Sequence, residues 1–321
     1  MKRSRSGGAT TAQLFESFET IPELAALREA VTLGSWPAIV AQLDAFDVEH
    51  VVGVLDELAT VDGIEDFLEA AVAQDPASPA AWTALARRQV ELGWAARGGG
   101  PAAAVGSERL HVFHGWLTEA ERTLVAVCAD HPAYAPAWAV RQYTARGLEL
   151  GASESHRRWA RLRSLGGPQW PAAMELMRTV GPRWLGDAEA QRRFVDDTLR
   201  DASEGALVWA LVPALHVERW NEADQRLQGS YFGDPAVADE LRDAARRSVL
   251  HPDFRGGPLA ARVHNLFAMT LWLGGHRGDA AAHLAGAGFR LTRYPWTLLA
   301  DPEKVARQCL GHARAAGGSV A

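Results

Sequence analysis

Apolar residues recur along this chain at helical intervals. Leu14 and Phe18 open the pattern, followed by Leu24, Leu27 and Val31, then Ile39, Leu43 and Phe46. Val51, Val54, Leu55 and Leu58 continue it, and Ile64, Leu68 and Val72 close a first block. Steps of three and four put one side chain per turn on a single helix face, whereas a half-buried strand alternates at every second residue. Gly34, Asp47 and Asp62 fall in the short connectors, where a helix needs a stop or an N-cap. No alternating β-branched run bounded by hairpin turns interrupts the pattern. The periodicity predicts an all-α chain.

The stretch Ala71–Gly98 organises the rest. It reads as the end of one helix, a turn at Asp75-Pro76 and a second helix carrying Trp82. Pro76 lies six residues before Trp82, and Pro132 lies six before Trp138, in the matching segments DPASPAAW and HPAYAPAW. A third segment, PQWPAAM, places Met174 six after Pro168. The offsets are 56 and 36 residues. The second is near the helix-pair repeat of roughly 34 residues, and the Gly-rich loop Gly98–Gly106 accounts for the excess in the first. Ile64, Leu68 and Ala71 precede Pro76 by the same intervals that separate Ala120, Leu124 and Val127 from Pro132. Between Glu108 and Ala129, Leu110, Phe113, Leu117, Ala120, Leu124 and Cys128 form one continuous stripe. Phe267, Ala268, Gly275, Ala280, Leu284 and Ala287 fall at the same relative places later on. Ala188–Arg200, Gly205–Glu218 and Ala236–Val249 are predicted helices that match the repeat poorly.

On these residues the chain resembles tetratricopeptide-like helical repeat proteins. The order GWAARGGG, FHGWLTEAERTL, PRWLGD and a closing YPW is similar to an uncharacterised bacterial family built on that plan. The resemblance implies an α-solenoid of antiparallel helix pairs that binds partners on its concave side. It implies no chemistry. The layout expected is a disordered tail over residues 1–10 and an acidic helical part over 11–75. Tetratricopeptide-like repeats follow over 76–180, and less regular helical repeats over 181–321.

Composition changes this picture in a few places. Of 321 residues, 48% are hydrophobic and 22% charged, the balance of a folded chain able to bury a core. The net charge of −6 argues against bulk nucleic-acid binding. It is uneven, with −10 in residues 1–80 and +4 in the remainder. The basic start, MKRSRSGGATTAQ, is followed by no apolar signal region, and no apolar run is long enough to span a bilayer. Cys128 and Cys309 are isolated and read as small buried hydrophobes. A cytoplasmic protein with no membrane or nucleic-acid partner is expected.

Candidate chemistry is sparse. There is no nucleophile elbow, P-loop, HExxH or CxxC pair, and GGGPAA follows no predicted strand, so no cofactor is expected. His111 and His114 stand at i and i+3 on one predicted helix and could face a metal together. A third ligand would have to come from His131, His156 or the His216/Glu218 pair. Asp196, Asp197 and Asp201 resemble the metal–diphosphate aspartates of terpene synthases, but no second metal motif follows and the stretch reads as a solvated helix face. The arginines are more suggestive. Arg87, Arg88 and Arg97 lie on or after the Trp82 helix, and Arg141 and Arg146 lie on the Trp138 helix. First helices of successive repeats would line a concave surface, and arginines there hold carboxylates or phosphates as two-pronged donors. Their competitors are local acids such as Glu91 and Glu149. The expectation is a non-catalytic scaffold that binds an acidic protein or peptide through Arg88, Arg97, Arg141, Arg146 and Trp94. The alternative is a small-molecule- or metal-binding all-α enzyme with a pocket near His111 and His114.

Overall fold

Short polar residues at the turns settle where helices begin. Asp47 accepts the His50 amide at 3.0 Å, Ser78 the Ala81 amide at 3.3 Å and Asp187 the Ala190 amide at 2.7 Å. Each satisfies a helix-start donor that has no partner within its own helix. Prolines at the first or second helical position, as in Pro79 and Pro136, cost nothing there because their missing N–H is not needed. Asp62 takes no capping role, since the helix it precedes starts after Ile64 without a side-chain cap.

The computed structural model describes residues 14–100, 104–167 and 169–317. The expected tail over residues 1–10, Pro168 and residues 101–103 of the Gly-rich loop lie outside them. The described residues are 72% helical and contain no strand, in sixteen helices. They are α1 (Ala25–Thr32), α2 (Trp36–Leu43), α3 (Val48–Leu58), α4 (Glu65–Gln74), α5 (Pro79–Arg97), α6 (Ser107–Asp130), α7 (Ala135–Gly147) and α8 (Ala152–Gly166). There follow α9 (Trp170–Thr179), α10 (Ala188–Arg200), α11 (Leu211–Glu222), α12 (Gln225–Gln228), α13 (Pro235–Arg247), α14 (Ala260–Leu273), α15 (Arg277–Gly286) and α16 (Pro302–Gly317). No helix among the described residues is long and apolar enough to cross a membrane. The helix expected from Gly205 starts later, at Leu211, after a 3-10 turn over Leu207–Ala210. Gly205 sits at φ +78° with its amide on the Arg247 carbonyl at 2.7 Å, so it cannot enter a right-handed helix.

The tryptophan–proline spacing acquires a physical role. The Trp82 indole N–H donates to the Pro76 carbonyl at 2.9 Å, and Trp138 donates to Pro132 at 3.2 Å. Each ring thereby ties its own helix to the turn before it. Met174 has no such donor; the third instance is Trp209, which donates to the Ser203 carbonyl at 3.0 Å, again six residues back. Toward the C-terminal ends of α5 and α7, these helices and α6 pack closely because Leu117 lies over Gly93 and Gly147, where a Cβ would collide with it. The predicted stripe on α6 is buried at Phe113, Leu117, Ala120, Leu124 and Cys128. Both cysteines are free and buried, and burial pushes the Cys309 thiol up to about 12.

Two apolar clusters hold the helices. One gathers Phe18, Leu24, Ile39, Leu55 and Leu68 with Ala81 and Ala84 of α5, so the acidic N-terminal part shares its core with the Trp82 helix. The larger cluster runs from Val52 and Ala86 to Trp296 and Leu310. The two ends of the chain also meet. The Glu16 amide donates to the Leu291 carbonyl at 2.6 Å, and Arg290 pairs with Glu16 at 3.3 Å and Glu23 at 2.8 Å. His50 Nε2 lies 3.0 Å from the Gly256 carbonyl oxygen. The Trp170 amide donates to Glu49 at 2.6 Å, and burial raises that carboxyl to about 8. In an open solenoid each unit touches only its neighbours. Here helix α3 packs against α5, α7 and α9, and the chain closes around a central cavity.

Candidate functional site

Five helices, α5, α6, α7, α9 and α11, and the segments between them deliver side chains to a cavity of about 730 Å³. The last turn of α5 brings Trp94 and Arg97, and α6 brings Leu110, Phe113 and His114. Arg146 comes from the end of α7 and Arg178 from the end of α9. Arg183 and Trp184 follow α9, while Tyr294 and Leu298 come from the segment before α16. A smaller cavity of about 340 Å³ adjoins it and shares Trp94, Arg146, Arg178 and Tyr294.

Arg146 is the centre of the arrangement. Its guanidinium lies 4.3 Å from the Trp94 ring and 4.9 Å from the Trp184 ring, and it donates to Glu175 at 2.8 Å. Aromatic faces attract a cation through their quadrupole, more strongly once water is excluded. Arg178 donates to the same Glu175 at 2.9 Å and to Glu218 at 2.9 Å, with its guanidinium 5.3 Å from the Tyr294 ring. Burial opposes ionisation of Glu175, yet the charges of Arg146 and Arg178 hold its carboxyl below the ordinary range. The result is a fixed chain of alternating charge along one wall.

Arg97 differs. It is 8% exposed, and its hydrogen bonds go to the backbone carbonyls of Gly98 at 3.1 Å and Gly100 at 3.3 Å. Gly98 and Gly100 have φ of +70° and +97°, left-handed conformations that suit glycine and fold the loop back over the guanidinium. Its guanidinium is 5.6 Å from the Trp94 ring and 6.0 Å from Phe113. Among the described residues no carboxylate stands within ion-pair distance of it. Burial, then the charges of Arg146, Arg183 and Arg109, weaken its hold on its proton. Exposed Arg183 likewise has no ion pair among the described residues.

The smaller cavity is richer in acids. Asp56 accepts from Arg87 at 2.7 Å and from the Tyr143 hydroxyl at 2.9 Å, with Arg262 at 3.6 Å. Glu16 is raised to about 7 and Glu57 is raised as well, each mainly by burial.

Of the residues singled out in the sequence, Trp94, Arg97, Arg146 and His114 meet in the larger cavity. Arg88 and Arg141 do not. Arg88 donates to Glu65 at 2.7 Å and to the Ala59 carbonyl at 2.6 Å, and Arg141 to Glu121 at 2.7 Å while stacking 5.1 Å from Trp138. Both side chains are spent on holding helices together, so neither faces the cavity beside Arg97. His111 and His114 are exposed on α6, and among the described residues no group of three His, Cys, Asp or Glu stands close enough to hold a metal ion. His216 is taken up by the Tyr231 hydroxyl at 2.8 Å and Glu240 at 3.0 Å. Asp196, Asp197 and Asp201 pair with Arg192, Arg200 and Arg163, as on a solvated helix face. Sequence reasoning missed Arg178, Arg183 and Glu175, and weighed Glu218 only as a companion of His216 in a metal site. One signal was available: Glu175 and Arg178 are the two charges in the otherwise apolar run PAAMELMRTV, a pattern that marks a buried ion network. No family model matches this chain, and no curated protein sequence proves similar to it.

Proposed function

We propose that the protein is a non-catalytic scaffold of tetratricopeptide-like helix pairs, arranged as a solenoid drawn closed by the Glu16–Arg290 contact and acting in the cytoplasm. It holds an acidic segment of a partner polypeptide in the cavity between Trp94, Arg97, Arg146 and Arg183. The observation that supports this reading is the convergence of four arginines and four aromatic rings from separate helices and connecting segments on one cavity. Arginine and tryptophan dominate interaction hot spots because they offer large contact area together with directed donors. The test is a pull-down from the protein's own cell lysate, with wild type beside an Arg97→Glu/Arg183→Glu variant. A polypeptide held by wild type and released by the variant is the expected result. Equal retention by both would remove the cavity from the interaction.

A second reading has one observation in its favour. The cavity volume of about 730 Å³ falls within the range of roughly 300–1,000 Å³ typical of small-molecule sites. A metabolite carried through purification by wild type and lost from the same variant would favour it.

A further inference from the structure

The lining of the larger cavity does not balance its own charge. Arg146, Arg178 and Glu218 of the lining pair with one another through Glu175 of the adjoining smaller cavity, two cations against two anions, and are neutral as a set. Arg97 and Arg183 remain. Glu149 lines the cavity too and forms no ion pair with either among the described residues; like Arg183 it is exposed, and water and salt screen both charges. Arg97 is buried and held by two glycine carbonyls, which orient the guanidinium without neutralising it. A buried cation without a counter-charge is costly, and an incoming anion recovers that cost. Burial, and then the nearby charges of Arg146, Arg183 and Arg109, weaken the hold of Arg97 on its proton, with Glu149 opposing them.

We propose that Arg97 and Arg183 form a subsite for the dianionic phosphate of a phosphate monoester, whose aromatic or apolar body lies against Leu110 and Leu298. The subsite rests on the reading of this cavity as a binding site. Two uncompensated guanidiniums match a monoester phosphate, which carries about −1.5 to −2 at neutral pH. A carboxylate would leave one of them unmatched. The planar guanidinium also presents paired N–H donors at the spacing of two phosphate oxygens. Because Arg146 lies between Trp94 and Trp184 and Phe113 is buried beneath Trp94, the apolar surface left to the ligand is chiefly that of Leu110 and Leu298. A phosphorylated aromatic side chain of a polypeptide and a free aryl phosphate present this same chemistry.

Calorimetric titration of the full chain tests the subsite with phenyl phosphate, benzoate and a phosphotyrosine peptide beside its unphosphorylated form. Phenyl phosphate is expected to bind about tenfold or more tightly than benzoate, and Arg183→Gln to weaken it by about tenfold. Arg183 is exposed, so this variant separates binding from folding. Arg314→Gln, an equal charge change on exposed α16, is expected to leave binding unchanged. Tighter capture of the phosphopeptide than of phenyl phosphate would assign the source to a modified polypeptide. Equal capture would assign it to small esters. Both uphold the subsite. Benzoate binding as well as phenyl phosphate, or undiminished binding by Arg183→Gln, would overturn it. The scaffold reading fails separately: a released polypeptide in the pull-down with no phenyl phosphate binding keeps the scaffold and removes the subsite, and the converse result does the reverse.

Discussion

Two arginine clusters on neighbouring helices use the same residue type for different ends. Around Glu121, Arg141 pairs at 2.7 Å, Arg158 at 2.8 Å and the Thr144 hydroxyl donates at 2.6 Å. Glu154 adds pairs to Arg157 and Arg158, each at 2.7 Å. Every guanidinium there has its carboxylate, and Arg158 is 1% exposed. Around the larger cavity, Arg97 and Arg183 have none among the described residues, although Arg97 is almost as deeply buried. A satisfied cluster fastens helices and has nothing left to offer a ligand. An unsatisfied one costs stability and keeps its donors available.

That contrast can be broken at several points. Glu121→Ala leaves Arg141 and Arg158 buried without their shared counter-charge and is expected to cost about 3–5 kcal/mol, read from urea unfolding. A loss below about 1 kcal/mol would show that the cluster behaves as a surface pair. A carboxylate of the satisfied cluster and one of the smaller cavity titrate in opposite directions. Hydrogen bonds from Arg157, with help from Arg158, hold Glu154 down at about 2, whereas burial lifts Glu16 to about 7. A raised carboxyl adds stability that is fully present below its unfolded value of 4.5 and lost as pH rises through 7. Glu16→Gln should therefore be more favourable, relative to wild type, at pH 8 than at pH 4.5, by on the order of 1–2 kcal/mol. Identical effects at both pH values would contradict the burial of this group. Arg97→Gln removes an uncompensated cation and is expected to change stability by about 1 kcal/mol or less, despite its burial. A loss as large as that of Glu121→Ala would mean that Arg97 is structural. The smallest effect belongs to exposed Arg183→Gln, within about 0.5 kcal/mol in the same assay.

The helices were readable from the sequence because their causes are local. The stripe from Phe113 to Cys128 and the Asp47 cap depend on residues a few positions apart, and Ala188–Arg200 is helical over its expected span. The turn before Trp82 was visible as a spacing, although its hydrogen bond to the Pro76 carbonyl was not. The half of the site on α5, α6 and α7 was visible for the same reason, since Trp94, Arg97, His114 and Arg146 follow the repeat. Arg178 and Arg183 were not. They lie where the repeat match fades, and their place beside Trp94 is decided by how α9 and the following segment pack. The role of each arginine was equally hidden. Arg141 and Arg146 sit five residues apart on one helix, and only the partners contributed by α6 and α9 separate the fastener from the cavity wall. The meeting of the chain ends depends on Glu16 and Arg290, residues with no pattern between them.

The closing pair also orders events during synthesis. Glu16 and Arg290 are 274 residues apart, so the seam between them waits until the chain has been made beyond Arg290. Neighbouring helices such as α5 and α6 can pair long before that, since local contacts form fast and distant ones form late. The larger cavity takes part of its wall from Tyr294 and Leu298. A nascent or prematurely terminated chain therefore displays Trp94, Arg97 and Arg146 without the wall that completes their cavity. The completed cavity belongs to a chain made at least as far as Leu298, and shorter copies lack it.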